Sequence, residues 1–345
     1  MTITRTPFRI SFLGGGTDYP IWYEKNGGAT LSTTINKYCY ITTRYLPPFF
    51  DCKYRVRYRD LEEVNEISEI KHPSVRESLR FLNFKHGIET QHNSDVPGMS
   101  GLGSSSAFTV GLLHSLHALR GEVATKKQLA LGAIHVEQNL IGENVGSQDQ
   151  TSTAFGGLNK IEFGGEEKIR VIPVSLDSRR FQEFQDHLML FFTGFPRNAS
   201  EVAAEQIKLT PQKNQELSRM RALVDEGVKI LTNGQTNIEE FGKLLHESWL
   251  LKRGLSSKIT NQHIDKIYKQ AQLSGALGGK LLGAGGGGFM LFFVRPQDQP
   301  RVKSALSNIL QVPFKFENAG SQVIYQMPQE EDHDELLSKY RNEYI

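Results

Sequence analysis

The stretch "PGMSGLGSSSAF", Pro97–Phe108, sets three glycines and four serines before "AFTVGLLHSLHAL", where Ala107, Val110, Leu113 and Leu116/Leu119 recur at helical spacing. The start of a helix offers unpaired amides and a partial positive charge, and glycines let an anion approach the backbone. A phosphate cradle is the leading expectation here. The plain alternative is a Gly/Ser loop ending in a serine N-cap. The run is not of the Walker type, because Ser104 follows Gly103 where that motif needs lysine. Nor is it a dinucleotide fingerprint from Gly101, which would want glycine where Ser106 stands. A nucleophile elbow fits only in the relaxed form Gly103-Ser104-Ser105-Ser106-Ala107.

Around this stretch, 345 residues give room for about two domains, each with its own core. A hydrophobic content of 38% and a charged content of 23% are those of a globular chain. The formal net charge of +2, without a Lys/Arg block, gives no case for a nucleic-acid partner. No apolar run resembles an export signal or a membrane span, so no membrane association is expected, and the expected address is the cytoplasm. Cys39 and Cys52 are then expected as reduced thiols. His114 and His117 sit at i, i+3 but find no further ligands for zinc, and Met99, Trp22 and Trp249 carry no sign of a cofactor box.

Strands are predicted in the first twelve or so residues, in one or two pieces of "GGATLSTTINKYCYITTRYL", and at "YRVRYRD". A helical pattern spans His72 to His86, and a second helix begins at Thr125 as N-cap. "ENVGSQDQTSTAFGGLNKIEF" reads as a polar loop running into a strand. After a strand at 187–194, helices are predicted at 199–208, 212–232, 237–252 and 261–274. A helix near 298–310 and strands at "PFKFE" and "SQVIYQM" complete the chain. The class is α+β in two parts, 1–182 and 183–345, divided near Asp177–Asp186.

Three glycine-rich segments need one explanation: "RTPFRISFLGGGTD", "PGMSGLGSSSA" and "KLLGAGGGGFMLFF". Their order and content resemble the GHMP kinases, with Pro7-Phe8-Arg9, Pro97–Ser105 and Gly283–Gly288 standing at the family's three motifs. The resemblance spans the whole chain. It implies a ribosomal-protein-S5-like N-terminal domain carrying the nucleotide loop, a ferredoxin-like C-terminal domain, and ATP- and Mg²⁺-dependent phosphoryl transfer. Pro97, Gly98, Ser100, Gly101, Leu102, Gly103, Ser104, Ser105 and Ser106 are then expected around the ATP phosphates. Such transfer needs mainly positioning and charge neutralisation.

In the same resemblance Ser105 and Glu137 are the metal ligands. Glu137 precedes Asp149 by one residue more than in mevalonate-kinase-like members, which requires an insertion in the intervening loop and leaves Glu143 as a competitor. Asp149 matches the catalytic aspartate that orients or deprotonates the acceptor hydroxyl, and Arg9 the basic residue beside it. Gly16, Thr17 and Asp18, with Arg9, Asp149, Gly285 and Gly286, are the implied substrate contacts. The beginning of the chain looks most like bacterial kinases for D-glycero-D-manno-heptose 7-phosphate, acting at the anomeric hydroxyl. Fucose, galactose or arabinose are alternative acceptors for such an anomeric kinase. Lys37, Arg44 and Arg197 are candidates for a substrate phosphate, and a monomer or homodimer is expected. A serine hydrolase using Ser105 with His246 or His263 is the alternative of another class.

Overall fold

The computed structural model describes residues 1–47, 49–98, 100–165, 168–194 and 199–327. The site rests on β1 (Thr2–Leu13), which lies between β2 (Gly28–Tyr45) and β13 (Gln322–Gln326) and is antiparallel to both. "GGATLSTTINKYCYITTRYL" thus forms one long strand, its Thr, Ile and Tyr content suiting a half-buried pleat. The same sheet takes in β3 (Tyr54–Arg57), β4 (Leu61–Val64), β5 (Ile88–Ser94), β6 (Asn159–Phe163), β7 (Ile169–Pro173) and β12 (Phe316–Glu317). Two register shifts in β1, at Pro7/Phe8 and Ser11/Leu13, bracket Arg9. Bulges of this kind re-aim side chains.

Helix α3 (Ser104–Leu119) packs on β1 and β2, and Thr4 donates its hydroxyl to Gly111 O at 2.9 Å across that contact. Around it lie α2 (Pro73–Phe81), α4 (Lys126–Ile134) and α5 (Gln148–Phe155). The α2 helix ends five residues short of the predicted His86. Thr125 caps α4 through a reciprocal box with Gln128, as its sequence predicts, and the helix runs on as a π-helical segment, His135–Ile141. The α5 helix corrects the loop predicted there. "QDQTSTAF" has no apolar period, yet Gln150, Thr151, Ser152 and Thr153 are buried. The Thr151 and Thr153 hydroxyls bond back to Ser147 O and Asp149 O, and Ser152 pairs with Ser32, so polar tertiary contacts hold the helix.

The second sheet runs β11 (Leu310–Gln311), β8 (Leu188–Phe192), β10 (Phe289–Val294), β9 (Ala276–Leu281), all antiparallel. Both faces of β10 are buried in alternation. Phe289, Leu291 and Phe293 join the core shared with β1, while Met290, Phe292 and Val294 join a second core under the covering helices. Those helices include α8 (Asn214–Thr232), α9 (Glu239–Arg253) and α10 (Gln262–Leu273). The predicted division near Asp177–Asp186 is itself a helix, α6 (Ser178–Asp186), capped by Asp177. Its Phe184 packs at 5.1 Å from Phe12 and 4.8 Å from Phe241, ring centre to centre, so one core crosses residue 182. No described helix is long and apolar enough to cross a membrane. Both cysteines are free.

Candidate active site

The three glycine segments converge on one cavity of about 430 Å³, within the usual range for small-molecule sites. Arg9 forms its floor, 2% exposed, with the guanidinium clamped on Asp149: Nε to Oδ1 at 2.7 Å and Nη2 to Oδ2 at 2.6 Å. Its remaining arm, Nη1, donates to Gly101 O at 2.6 Å. Three of its five N–H groups are engaged in this way, so Arg9 fixes both the aspartate and the glycine loop. Asp149 sits in the first turn of α5, where the helix dipole favours negative charge. Bidentate pairing with a buried guanidinium locks the direction of the carboxylate.

The Pro97–Ser106 stretch meets this pair at its end. Gly101, Gly103, Ser104, Ser105 and Ser106 line the cavity beside Asp149. Gly103 caps α3 at φ 75°, a left-handed conformation, and carries no side chain to occupy the helix's first amides. Pro97 and Gly98 are exposed and outside the cavity lining, as are buried Ser100 and Leu102. Ser100 and Leu102 act through the backbone instead: Phe289 N donates to Ser100 O and Arg9 N to Leu102 O. The third glycine run is strapped to the loop. A Cβ on Gly101 would fall 2.6 Å from Leu282 O, and one on Gly283 would fall 2.5 Å from Gly101 Cα.

Asp18 lies at the opposite wall, 2% exposed, accepting Gly16 N at 2.8 Å and Gln148 N at 3.4 Å. Burial pushes its carboxyl above the usual carboxylate range, the Gly16 amide opposes that shift, and the nearby Asp149 charge adds to it. Gly16 lines the cavity too. Thr17 does not: its hydroxyl donates to Gly14 O and Ala29 O, tying the turn to β2 and facing no ligand space. Gly285 and Gly286 are also placed elsewhere. Gly285 packs on Ile259, and Gly286 lines a separate polar depression with Lys258, Asn261 and His263. The residues of that run in the cavity are Gly283 and Ala284.

Glu137 is fully buried, and one oxygen, Oε2, takes the Ser106 hydroxyl at 2.9 Å and the Gln150 amide. Its other oxygen has no hydrogen-bond partner. Burial drives the carboxyl up to about 7 against the opposing hydrogen bonds of Ser106 and Gln150. The serine that meets Glu137 is therefore Ser106, and Ser105 is exposed. One step along a helix turns a side chain by about 100°. Glu143 instead reaches the cavity lining, in the loop 142–147 whose Gly146 and Ser147 adjoin Asp18. Glu137 lies within the π-helical segment, whose wider turns take in more residues than α turns, so the extra spacing to Asp149 has a place in the helix as well as in the loop.

Two cavity cations went unread in the sequence. Lys252 ends the buried stripe Phe241, Leu245, Trp249 of α9 and lines the cavity, and Lys280 reaches it from β9. A lysine at apolar-face spacing was the available signal. Of the cations proposed for a substrate phosphate, Arg44 is paired with Glu89 at 2.7 Å, Lys37 is not in the cavity lining, and Arg197 lies outside the described residues. His246 bonds Tyr268 at 2.6 Å and His263 lines the separate depression. No described histidine lines the cavity with Ser105, so a hydrolase triad is not assembled there.

Comparison with known proteins agrees with this geometry. Residues 71–157 match the GHMP kinases N terminal domain, and residues 229–311 match GHMP kinases C terminal. The D-glycero-alpha-D-manno-heptose 7-phosphate kinase of Campylobacter jejuni is 29% identical over 314 residues, covering 88% of this chain and 92% of its own. The bifunctional fucokinase/GDP-fucose pyrophosphorylase of Arabidopsis thaliana is 25% identical, over 87% of this chain but 30% of its own length. The solved structure of a D-glycero-D-manno-heptose 1-phosphate kinase from Bacteriodes thetaiotaomicron shares the fold, with a TM-score of 0.77 at 22% identity over 95% of this chain. With the serine-glycine loop, Glu137 and Asp149 in the first matched span, and Lys252, Lys280 and the third glycine run in the second, the chain belongs to the GHMP kinase family.

Proposed function

We propose that this kinase transfers the γ-phosphoryl group of ATP to the anomeric hydroxyl of D-glycero-D-manno-heptose 7-phosphate, giving the 1,7-bisphosphate for nucleotide-activated heptose and surface polysaccharide. The observation that supports it most is the Arg9–Asp149 clamp facing the start of α3 across one cavity. The ATP phosphates would lie against Gly101–Ser106, with the acceptor hydroxyl at Asp149 and a sugar diol at Asp18, whose carboxyl suits paired hydroxyl donors. Asp149 either accepts the hydroxyl proton or only orients it. An ordinary aspartate is a weak base for an alcohol, so orientation carries the larger share. The relative from Campylobacter jejuni supports heptose phosphate as the acceptor.

A divalent cation fits the residues at Glu137. A buried carboxylate with one unpartnered oxygen beside a serine hydroxyl is a hard oxygen donor set, and Mg²⁺ takes few protein ligands besides phosphates and water. We propose Glu137 and Ser106 as its holders, with Ser105 of the original pair at the phosphates. When bound, Mg²⁺ supplies charge neutralisation for the phosphates. Glu137→Gln is expected to raise the Mg²⁺ concentration for half-maximal turnover about tenfold or more, in line with losing a ligand's charge. An unchanged Mg²⁺ titration would remove Glu137 from the metal site.

The same proposal keeps 1–182 and 183–345 as two kinase domains that share one core, with a cytoplasmic address and a monomeric or homodimeric state. ADP release across a panel of sugars and sugar phosphates tests the acceptor. Heptose 7-phosphate is expected to give the highest kcat/KM. Better turnover of free fucose or galactose would reassign the substrate, and the fucokinase relative makes fucose the first competitor to include.

A further inference from the structure

Lys252 spends a charge where charge is expensive. It stands in the last turn of α9 almost fully buried, 6% exposed, yet it lines the cavity. The ammonium donates to Leu281 O at 3.3 Å and to Gly283 O, the two carbonyls that lead into the third glycine run. An ammonium has three N–H groups, so one remains for the cavity. Its charged neighbours come from every side: Arg9 on β1, Asp18 after it, Asp149 on α5, and Lys280 on β9, with Glu143 further along the same wall. Lys280 is buried as well and anchored to Phe12 O at 2.8 Å. Arg9, Lys252 and Lys280 thus share the floor with two carboxylates; burial holds Lys280 well below the usual lysine range, and three of the five N–H groups of Arg9 are already engaged. A floor built this way has a place for an anion.

We propose that Lys252 is a catalytic residue of this kinase, its free N–H meeting the oxygens of the phosphoryl group in flight. The role rests on the kinase reading above. In the transfer, the acceptor oxygen forms its bond to the γ-phosphorus while the bond to the bridging oxygen of ADP breaks, and that electron pair leaves with ADP. The hydroxyl proton passes to Asp149 and on to solvent. Lys252 exchanges no proton. It neutralises charge on the equatorial oxygens, held in place by the Gly283 and Leu281 carbonyls so that little reorganisation is needed. Burial, then the neighbouring Arg9 charge, lower its ammonium to about 8, with Asp18 and Asp149 opposing.

The sign of that shift supplies readouts that a merely structural tie would lack. A lysine whose folded pKa is lowered disfavours the folded state while it stays protonated, and stability rises with pH between about 8 and the unfolded value. Lys252→Met, of similar length, is therefore expected to keep its Tm within a few degrees of wild type at pH 7. Its kcat is expected to fall about 100-fold, with little change in KM for ATP, the size of loss seen when one charge-stabilising donor is removed. Wild-type kcat is expected to decline above about pH 8 as the ammonium deprotonates, and Lys252→Arg to carry that limb to higher pH. The proposal is overturned by a Lys252→Met kcat within threefold of wild type, or by a wild-type kcat flat from about pH 7 to 9.5. Should the methionine variant fail to fold, the wild-type and arginine profiles decide alone. Wild-type assays come first: no ADP from any acceptor removes the kinase reading and this role together. Wild-type turnover beside an undiminished Lys252→Met removes the role only.

Discussion

Asp149→Asn is expected to bind ATP almost normally while turnover falls at least ~100-fold, the usual loss for a missing catalytic proton acceptor. The nucleotide would touch the glycine loop, whose hydrogen bond to this pair comes from Arg9 and not from Asp149, so binding is spared. Chemistry is not. The amide keeps one accepting oxygen for the guanidinium, but the negative charge that aligns the acceptor hydroxyl is gone. The exchange also strands the nearly buried Arg9 beside a neutral group. A stability loss of about 2–3 kcal/mol accompanies the kinetic one. Isothermal titration with ATP, ADP release and a denaturant curve separate these effects. Turnover within tenfold of wild type would remove Asp149 from the catalytic role.

Gly101→Val carries the second large effect, and it is mechanical. Gly101 has φ 87°, and its missing Cβ faces Leu282 O at 2.6 Å, so a branched side chain meets both backbone strain and a carbonyl that cannot step aside. A cost of about 3–5 kcal/mol is expected from the two together. The damage also spreads, because the Gly101 carbonyl accepts an arm of Arg9. Turnover should therefore drop by more than the folded fraction does. Gly98→Ala is the control, with nothing within 4 Å of the new methyl and an expected change within about 0.5 kcal/mol. Equal thermal denaturation of the two variants would refute the close crossing of the glycine segments.

Much of this site is written in local pattern. The three glycine segments stand out by composition, Arg9 and Asp149 through the resemblance to the GHMP kinases, and they gather at one cavity. The helix that carries Asp149 was not legible, because α5 is held by buried Thr and Ser contacts rather than by an apolar stripe. The choice of Ser106 over Ser105 depends on helix phase and on where Gln150 lies, neither visible in one dimension. Thr17 looked like a ligand because it adjoins Asp18, but its hydroxyl closes the turn after β1. Lys252 hid in plain view, since a lysine at the end of a helix usually serves the dipole or solvent.

The pairing of β13 with β1 and of β12 with β2 has a temporal consequence. During translation the strand bearing Arg9 emerges long before β12 and β13, which flank its partner and itself. Until residues 322–326 appear, one edge of β1 stays open to any other extended segment nearby. A nascent chain of this kinase is thus exposed to mispairing for the whole interval between β1 and β13, and its demand for chaperone protection should be set by that wait.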